Sequence, residues 1–559
     1  MHHQKKHKAH TAHKKANIFL ILVVATFVIS IFFRFWNLSS DEIIFDEGIY
    51  AFRSIGYLDY MESSAQITPI QMFVDKEMPG WLTLSFHDAP PLFFLISHIF
   101  FTILGESILV ARLPSALAGL GIVILMFFLT RRIFEKLENE KLRLQKEWAG
   151  LLSSAITAIS FASVAFSRLS QLEALLFFFI LLNIYFFLKL VDEKKWWWAF
   201  GITFGTCILI KYTAVFLIPV YFIYLIIIRS KLIRDWRFYA GWGISGILFL
   251  PVIIYNIKLY GLLGHFDLQF SYLFGQSTPE WHGISGGKNQ APFSEIISNI
   301  SLIYSVPFIL FSIVGIVLSL TQKTLGKVRW FMLLNFAFIL LLLTAVGSAI
   351  RFISTLIIPS IFFITLAIIW SIKFHNGRKI VTAITVLFLI YEGYFSTSLL
   401  FINRADYGIV KLDKYFDLVF GETRPSGLPR HPNQNLNKII EKYSSNRQVK
   451  PGTVGIVFDD RISDPAHLWL FSRRQFYNGI PVMPASAFLE IFNKSGAGSL
   501  KDFHIYFVRA GEATTISEIT DQNYHKSLES FLSKIPKESK FTIKTDDQRP
   551  TFEVAEFIF

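Results

Sequence analysis

Eleven stretches of this 559-residue chain are apolar for about the length that a bilayer core demands of a helix, roughly 20 residues. They fall at 18–36, 109–130, 148–166, 172–190, 196–210, 213–228, 238–256, 298–320, 330–348, 352–371 and 379–401. In lipid every backbone N–H and C=O must be satisfied internally, so stretches of this kind fold as helices. Hydrophobic residues make up 53% of the chain and charged residues 17%. That is more apolar surface than a soluble core of this size needs, and it suits helices solvated by lipid. The expected fold is an α-helical polytopic membrane protein with about 11 transmembrane helices.

Charge sets the expected orientation. The net charge of +13 does not point to nucleic acid, because the basic residues lie in short runs between the apolar stretches, a topology signal. One more apolar stretch, Pro90 to Leu104, is ambiguous by length. If it does not cross, the loops on the N-terminal side collect Arg131, Arg132, Lys136, Lys141, Arg143, Lys146, Lys194 and Lys195. The same side collects Arg229, Lys231, Arg234, Arg237, Lys323, Lys327, Arg329, Lys373, Arg378 and Lys379. The opposite loops keep singles such as Arg168, Lys211 and Arg351. If it crosses, every later basic cluster moves away from the basic N-terminus. The positive-inside rule favours the first arrangement, with 90–104 as an interfacial or re-entrant outer helix.

The predicted organisation is a basic cytoplasmic tail (1–17), a transmembrane domain (18–403) with outer loops 37–108 and 257–297, and an extracytoplasmic domain (404–559). In a prokaryote the membrane would be the plasma membrane. Met1 to Lys15 is rich in His and Lys and lacks a small-residue cleavage site, so it reads as part of a retained signal-anchor. Cys207 is the single cysteine, which excludes a disulfide framework within the chain. The last region alternates predicted strands (453–458, 504–508, 541–544, 552–559) with helical spacing at 436–443 and 524–532, a small α/β domain. It shows no catalytic motif, and packing or acceptor recognition is its expected role. No internal repeat of the kind that builds many secondary transporters is evident.

The chemistry-bearing residues gather in the outer loops. Asp46 and Glu47 follow the first span, with Asp41-Glu42 just before them, and Asp88 stands in Phe86-His87-Asp88-Ala89-Pro90-Pro91. Carboxylates so placed can deprotonate a hydroxyl or orient a sugar or a metal; equally, they can be solvated loop acids or helix caps. Arg112, Arg168, Lys211 and Arg351 sit at outer helix ends, against the topology rule. Such cations suit a lipid phosphate, although each alone can be a snorkelling anchor. The loop 257–297 adds His265, Asp267, Trp281 and His282. No cofactor is required by this pattern. A divalent metal is the one left open, with Asp88, His265 and His282 as weak ligands.

The order of Asp46-Glu47-x-x-Tyr50, Asp88-x-Pro90-Pro91 and Ala111-Arg112-Leu113-Pro114-Ser115-Ala116-Leu117 resembles the C-type membrane glycosyltransferases. The likeness is to the branch containing protein O-mannosyltransferases and the lipid A aminoarabinose transferase. It spans most of the chain, with specific motifs confined to roughly 41–117 and weaker echoes at 168–173, 211–213 and 351. The resemblance implies inverting transfer of one sugar from a polyprenyl-phosphate donor, on the outer face, to a hydroxyl of a lipid, glycan or protein acceptor. It implies Asp46 as general base, Glu47 in support and Asp88 as second acid. Lys211, Arg351, Arg168 and Arg112 would meet the donor phosphate. Tyr50, His87, His265, Asp267 and Trp281 would meet sugar or acceptor. One departure stands out: where the aminoarabinose transferases carry Lys and the O-mannosyltransferases His before the double proline, this chain has Ala89. A contact made there must come from elsewhere, such as His87. The alternatives are a transporter or flippase of a lipid-linked saccharide and a non-catalytic envelope-assembly protein.

Overall fold

The computed structural model describes residues 2–44, 46–59, 79–87, 89–276, 293–374, 377–422, 453–462, 466–495, 503–512, 522–533 and 540–558. Asp88, Trp281, His282 and the helix expected at 436–443 lie outside the described residues.

Among the described residues, seven helices are long and apolar enough to cross a bilayer: Ala16–Phe35, Ile108–Glu135, Leu172–Asp192, Trp236–Leu263, Val328–Val346, Ile350–Lys373 and Arg378–Ile402. An eighth span is bent by 59° between Lys146–Ile159 and Phe161–Ser167. The stretches expected at 196–210, 213–228 and 298–320 hold shorter apolar helices, Trp197–Ile210, Tyr212–Ile227 and Val306–Thr321. Of the eleven expected stretches, eight are therefore helices of spanning length, counting the bent pair as one, and three are shorter apolar helices.

Ile350–Lys373 runs almost wholly enclosed through the bundle, against Val306–Thr321 and Val328–Val346. Gly315 presses onto the Phe363 carbonyl with no room for a methyl group, the small-residue contact that lets helices approach in lipid. The outer helices instead expose apolar faces, including Leu20, Ile21, Ile247, Ile257, Leu387 and Ile390. Such surface is stable only against hydrocarbon.

The bend in the third span has a specific support. Arg34, buried in the first helix, donates to the carbonyls of Thr157 (3.2 Å) and Ala158 (3.1 Å) and to Ser163 Oγ (2.9 Å), satisfying groups that the break releases. The expected span 298–320 is likewise divided, into Phe293–Ile303 and Val306–Thr321. Ser305 Oγ caps the second part by accepting from the Phe308 N–H at 3.2 Å. Leu92–Leu104 has 13 residues, about 20 Å of helix, short of the ~30 Å hydrocarbon core. It packs beside Glu47–Gly56.

The C-terminal region forms a five-stranded mixed sheet: β1 (Thr453–Phe458), β2 (Val482–Pro484), β3 (Phe503–Ala510), β4 (Lys540–Lys544) and β5 (Pro550–Ile558). The order is β2-β1-β3-β5-β4, with β1 parallel to β2 and β3, and β5 antiparallel to β3 and β4. Four strands match the sequence expectation; the three-residue β2 was too short to register there. The C-terminal region packs on helix Glu47–Gly56, where Phe52 packs on Phe476 and Tyr477 and the Tyr477 hydroxyl donates to the Phe52 carbonyl at 2.8 Å.

Candidate active site

The first outer loop is organised by Arg112. Its side chain is fully buried near the start of Ile108–Glu135, and all five of its N–H groups have acceptors. Nε and Nη2 hold the Glu47 carboxylate at 2.7 and 2.8 Å. Nη1 donates to the carbonyls of Leu38 (2.7 Å) and Asp41 (2.9 Å), and Nη2 also to that of Glu42 (2.8 Å). Glu47 Oε1 accepts in addition from the Ser170 N–H at 2.8 Å. Arg168 makes a parallel arrangement: Nε and Nη2 reach Asp41 Oδ2 at 2.8 and 2.5 Å, and Nη1 and Nη2 donate to the carbonyls of Phe33 and Trp36, each at 2.8 Å.

These bonds bear on three sequence expectations. Arg112 and Arg168 were expected at the donor phosphate, but the first has no donor to spare and both are sealed from solvent. Glu47 was expected to act beside the base, but a buried carboxylate locked bidentate to a guanidinium is held as a pair, and separating it would leave an uncompensated buried charge. All three fix the 38–47 loop onto the bundle.

Asp46 is left differently disposed. It is the N-cap residue of Glu47–Gly56 but makes no side-chain cap bond, and its side chain is 33% exposed. Oδ2 accepts from Arg351 Nη1, and the Tyr50 hydroxyl lies 3.5 Å from the same oxygen. Tyr50 is itself wedged edge-on against Phe93 and Phe94. The Arg351 guanidinium lies 5.2 Å from the Phe352 ring centroid, and Lys211 Nζ lies 4.6 Å from that same centroid. Lys211 stands where Trp197–Ile210 gives way to extended backbone (φ −158°) before the turn at Tyr212–Phe216, and bonds Glu173 Oε1 at 2.5 Å. Glu173 thus pairs with Lys211. Two cations flank one aromatic ring, each held by one carboxylate.

The remaining expected contacts fall elsewhere. His87, His265 and Asp267 form a buried cluster in which the second outer loop clamps the first. The Leu268 N–H donates to the His87 carbonyl at 3.0 Å, the two imidazole rings lie 6.1 Å apart, and His87 Nδ1 is 3.4 Å from the Tyr255 hydroxyl. Asp267 caps Leu268–Phe274 through Phe270 N–H (2.8 Å) and accepts from Tyr212 Oη (3.1 Å) and Asn256 Nδ2 (3.0 Å). Burial pushes its carboxyl above the usual range, opposed by these bonds and by His87. Three donors on one carboxylate make a loop clasp rather than a sugar ligand. Of the expected sugar or acceptor set, Tyr50 alone reaches Asp46 among the described residues. No group of three His, Cys, Asp or Glu side chains converges as metal ligands among those residues.

Two buried contacts escaped the sequence. Arg53 Nη2 pairs with Asp59 Oδ2 at 2.5 Å, and the same oxygen accepts from the His87 N–H at 3.1 Å, which shapes the approach to the double proline. The opposite charges six residues apart were the available signal. The Glu42 carboxylate accepts from the N–H groups of Tyr407 (2.8 Å), Ile409 (3.2 Å) and Val410 (3.0 Å), capping Ile409–Glu422 from more than 360 residues away. Nothing local announces such a contact.

The bundle and the docked C-terminal sheet give the chain the fold of the C-type membrane glycosyltransferases. Residues 88–255 match the family model of dolichyl-phosphate-mannose-protein mannosyltransferases. The structure resembles ArnT from Cupriavidus metallidurans bound to undecaprenyl phosphate, with a TM-score of 0.52 and 12% identity, over 97% of this chain and 98% of that one. It also resembles the archaeal oligosaccharyltransferase AglB from Archaeoglobus fulgidus in complex with an inhibitory peptide and a dolichol-phosphate. There the TM-score is 0.50 and the identity 13%, over 89% of this chain and 70% of that one. No curated protein matches the chain by sequence.

Proposed function

We propose that this protein transfers a single sugar from a polyprenyl-phosphate donor to an acceptor hydroxyl, with inversion, on the outer face of the membrane. The observation that carries the proposal is the partly open Asp46 carboxylate held by Arg351, with Lys211 against the same Phe352 ring as Arg351. The family-model match and the two lipid-phosphate-bound relatives in fold support it.

The chemistry follows from charge. Each cation is balanced by a carboxylate, Arg351 by Asp46 and Lys211 by Glu173. A sugar phosphate entering between them takes over both cations and releases Asp46. The acceptor hydroxyl then gives its proton to Asp46, its oxygen forms the new bond at the anomeric carbon, and the bond from that carbon to the phosphate oxygen breaks. The polyprenyl phosphate leaves with its charge held by Arg351 and Lys211, placed where that charge develops. Asp88, adjoining the buried His87, is proposed as the second acid. Arg112, Arg168 and Glu47 act by holding the loop. The test is incubation of the purified protein with a small panel of polyprenyl-phosphate sugars and acceptors. Acceptor-dependent release of polyprenyl phosphate is expected, and its absence across mannose, glucose and aminoarabinose donors contradicts the proposal.

A further inference from the structure

A cavity of about 250 Å³ opens beside this site. Its walls are almost all apolar: Phe161, Ala165 and Phe166 after the bent span, Leu302 and Ile303, and Leu399 and Leu400. Ile44 and Ile350 close it, one lying two residues before Asp46 and the other immediately before Arg351. Successive residues of the turn Ile350–Ile353 therefore face different ligands. Ile350 lines this cavity, while Phe352 packs against Lys211, and neither Lys211 nor Glu173 lines the cavity.

Its polar end is unusual. Asp41 lines it, and Asp41 Oδ1 is buried with no hydrogen-bond partner, although Oδ2 is fully engaged by Arg168. An orphaned carboxylate oxygen is costly unless a donor arrives. Arg404 also lines the cavity, with its side chain 32% exposed and only Nη2 occupied, by the exposed Asp546. The combination is an apolar slot at the bundle's end with a polar end in which Glu42 and Arg168 are already bonded elsewhere, one unmet acceptor on Asp41, and Arg404 as the cation with unused donors. The volume falls just under the ~300–1,000 Å³ that encloses a whole small ligand, which suits part of a longer molecule. Leu302, more than half exposed, leaves the wall open to the lipid side.

We propose that this cavity is a lipid site separate from the donor-phosphate site. It takes one hydrocarbon chain of an anionic lipid with a hydroxyl-bearing head group. The chain fills the slot, the hydroxyl donates to Asp41 Oδ1, and the negative charge meets Arg404. The site stands on its own geometry and does not depend on the transfer reaction.

The test uses the full-length protein in phosphatidylcholine nanodiscs, titrated with labelled phosphatidylglycerol, with undecaprenyl phosphate binding measured in parallel. Retained phosphatidylglycerol is expected to fall at least tenfold in Ala165→Phe, which fills the slot, and severalfold in Arg404→Gln. Undecaprenyl phosphate binding is expected to stay unchanged in both. Glycerol 3-phosphate is expected not to compete, because it has no chain. Equal retention by the wild type and both variants overturns the proposal, as does equal preference for phosphatidylcholine or full competition by glycerol 3-phosphate. If Ala165→Phe does not fold, Arg404→Gln decides the matter alone. Loss of undecaprenyl phosphate binding in Lys211→Ala with phosphatidylglycerol retained separates the two sites.

Discussion

At the scale of single residues, the outer edge of the bundle divides its charges into those that are spent and those that are available. Arg112 and Arg168 are buried under hydrogen bonds, whereas Arg351 and Lys211 are each held by one carboxylate across an aromatic ring. Lys211→Ala is expected to remove one charge-assisted contact to the donor, worth about 1.5–3 kcal/mol, and so to raise the donor concentration for half-saturation roughly 10- to 100-fold. Donor titration of the variant, with its thermal melt as control, measures this. Glu47→Gln is expected to act on the fold instead, costing about 3–5 kcal/mol by leaving Arg112 charged and unmatched. A lowered melting temperature and low yield would show it. Asp46 was legible in the sequence because an acid beside an apolar span stands out at once. The roles of Arg112 and Arg168 were not, because sequence shows that a cation is present but not whether carbonyls 70 or 130 residues away have used its donors.

At the scale of elements, apolar length marked nearly every helix, and tertiary contacts decided where those helices break. The span expected at 148–166 bends where Arg34 reaches the carbonyls of Thr157 and Ala158, and the stretch 298–320 divides at Ser305. Period and hydropathy carry no trace of a partner on another helix. The junction between loop and outer domain is equally long-range. Glu42→Ala strips three N–H groups of Tyr407, Ile409 and Val410 of their acceptor, at about 1–3 kcal/mol for each that stays buried and unpaired. Faster amide exchange at 407–410 and earlier proteolysis of the outer domain are expected, with the transmembrane helices unaffected.

At the scale of the whole molecule, the C-terminal domain is held together internally by a charge cluster in which Asp413 is buried between Arg473 (2.7 Å) and Arg474 (2.9 Å). Burial alone would push the Asp413 carboxyl up, but the two guanidiniums outweigh it and hold it below the usual carboxylate range. The sign then follows from linkage: the stability this group adds is present above the ordinary carboxylate pKa of about 3.9 and is lost as pH falls through the lowered folded value. A full-length melt against pH is expected to keep the domain folded through neutral pH and to unfold it in strong acid, with Asp413→Asn destabilised at neutral pH as well. The positive-inside argument adds an orientation, and a reporter fused after Arg404 is expected outside the membrane. The central claim is that Asp46 takes the acceptor proton while cations hold the leaving phosphate. It is tested most directly by comparing wild type and Asp46→Asn for acceptor-dependent release of polyprenyl phosphate from a sugar donor that the wild type uses. The variant should insert, fold and bind undecaprenyl phosphate at least as well as the wild type, because Arg351 is freed from its carboxylate, yet release should fall by 10²-fold or more. Near-normal release by a folded Asp46→Asn protein would contradict the account.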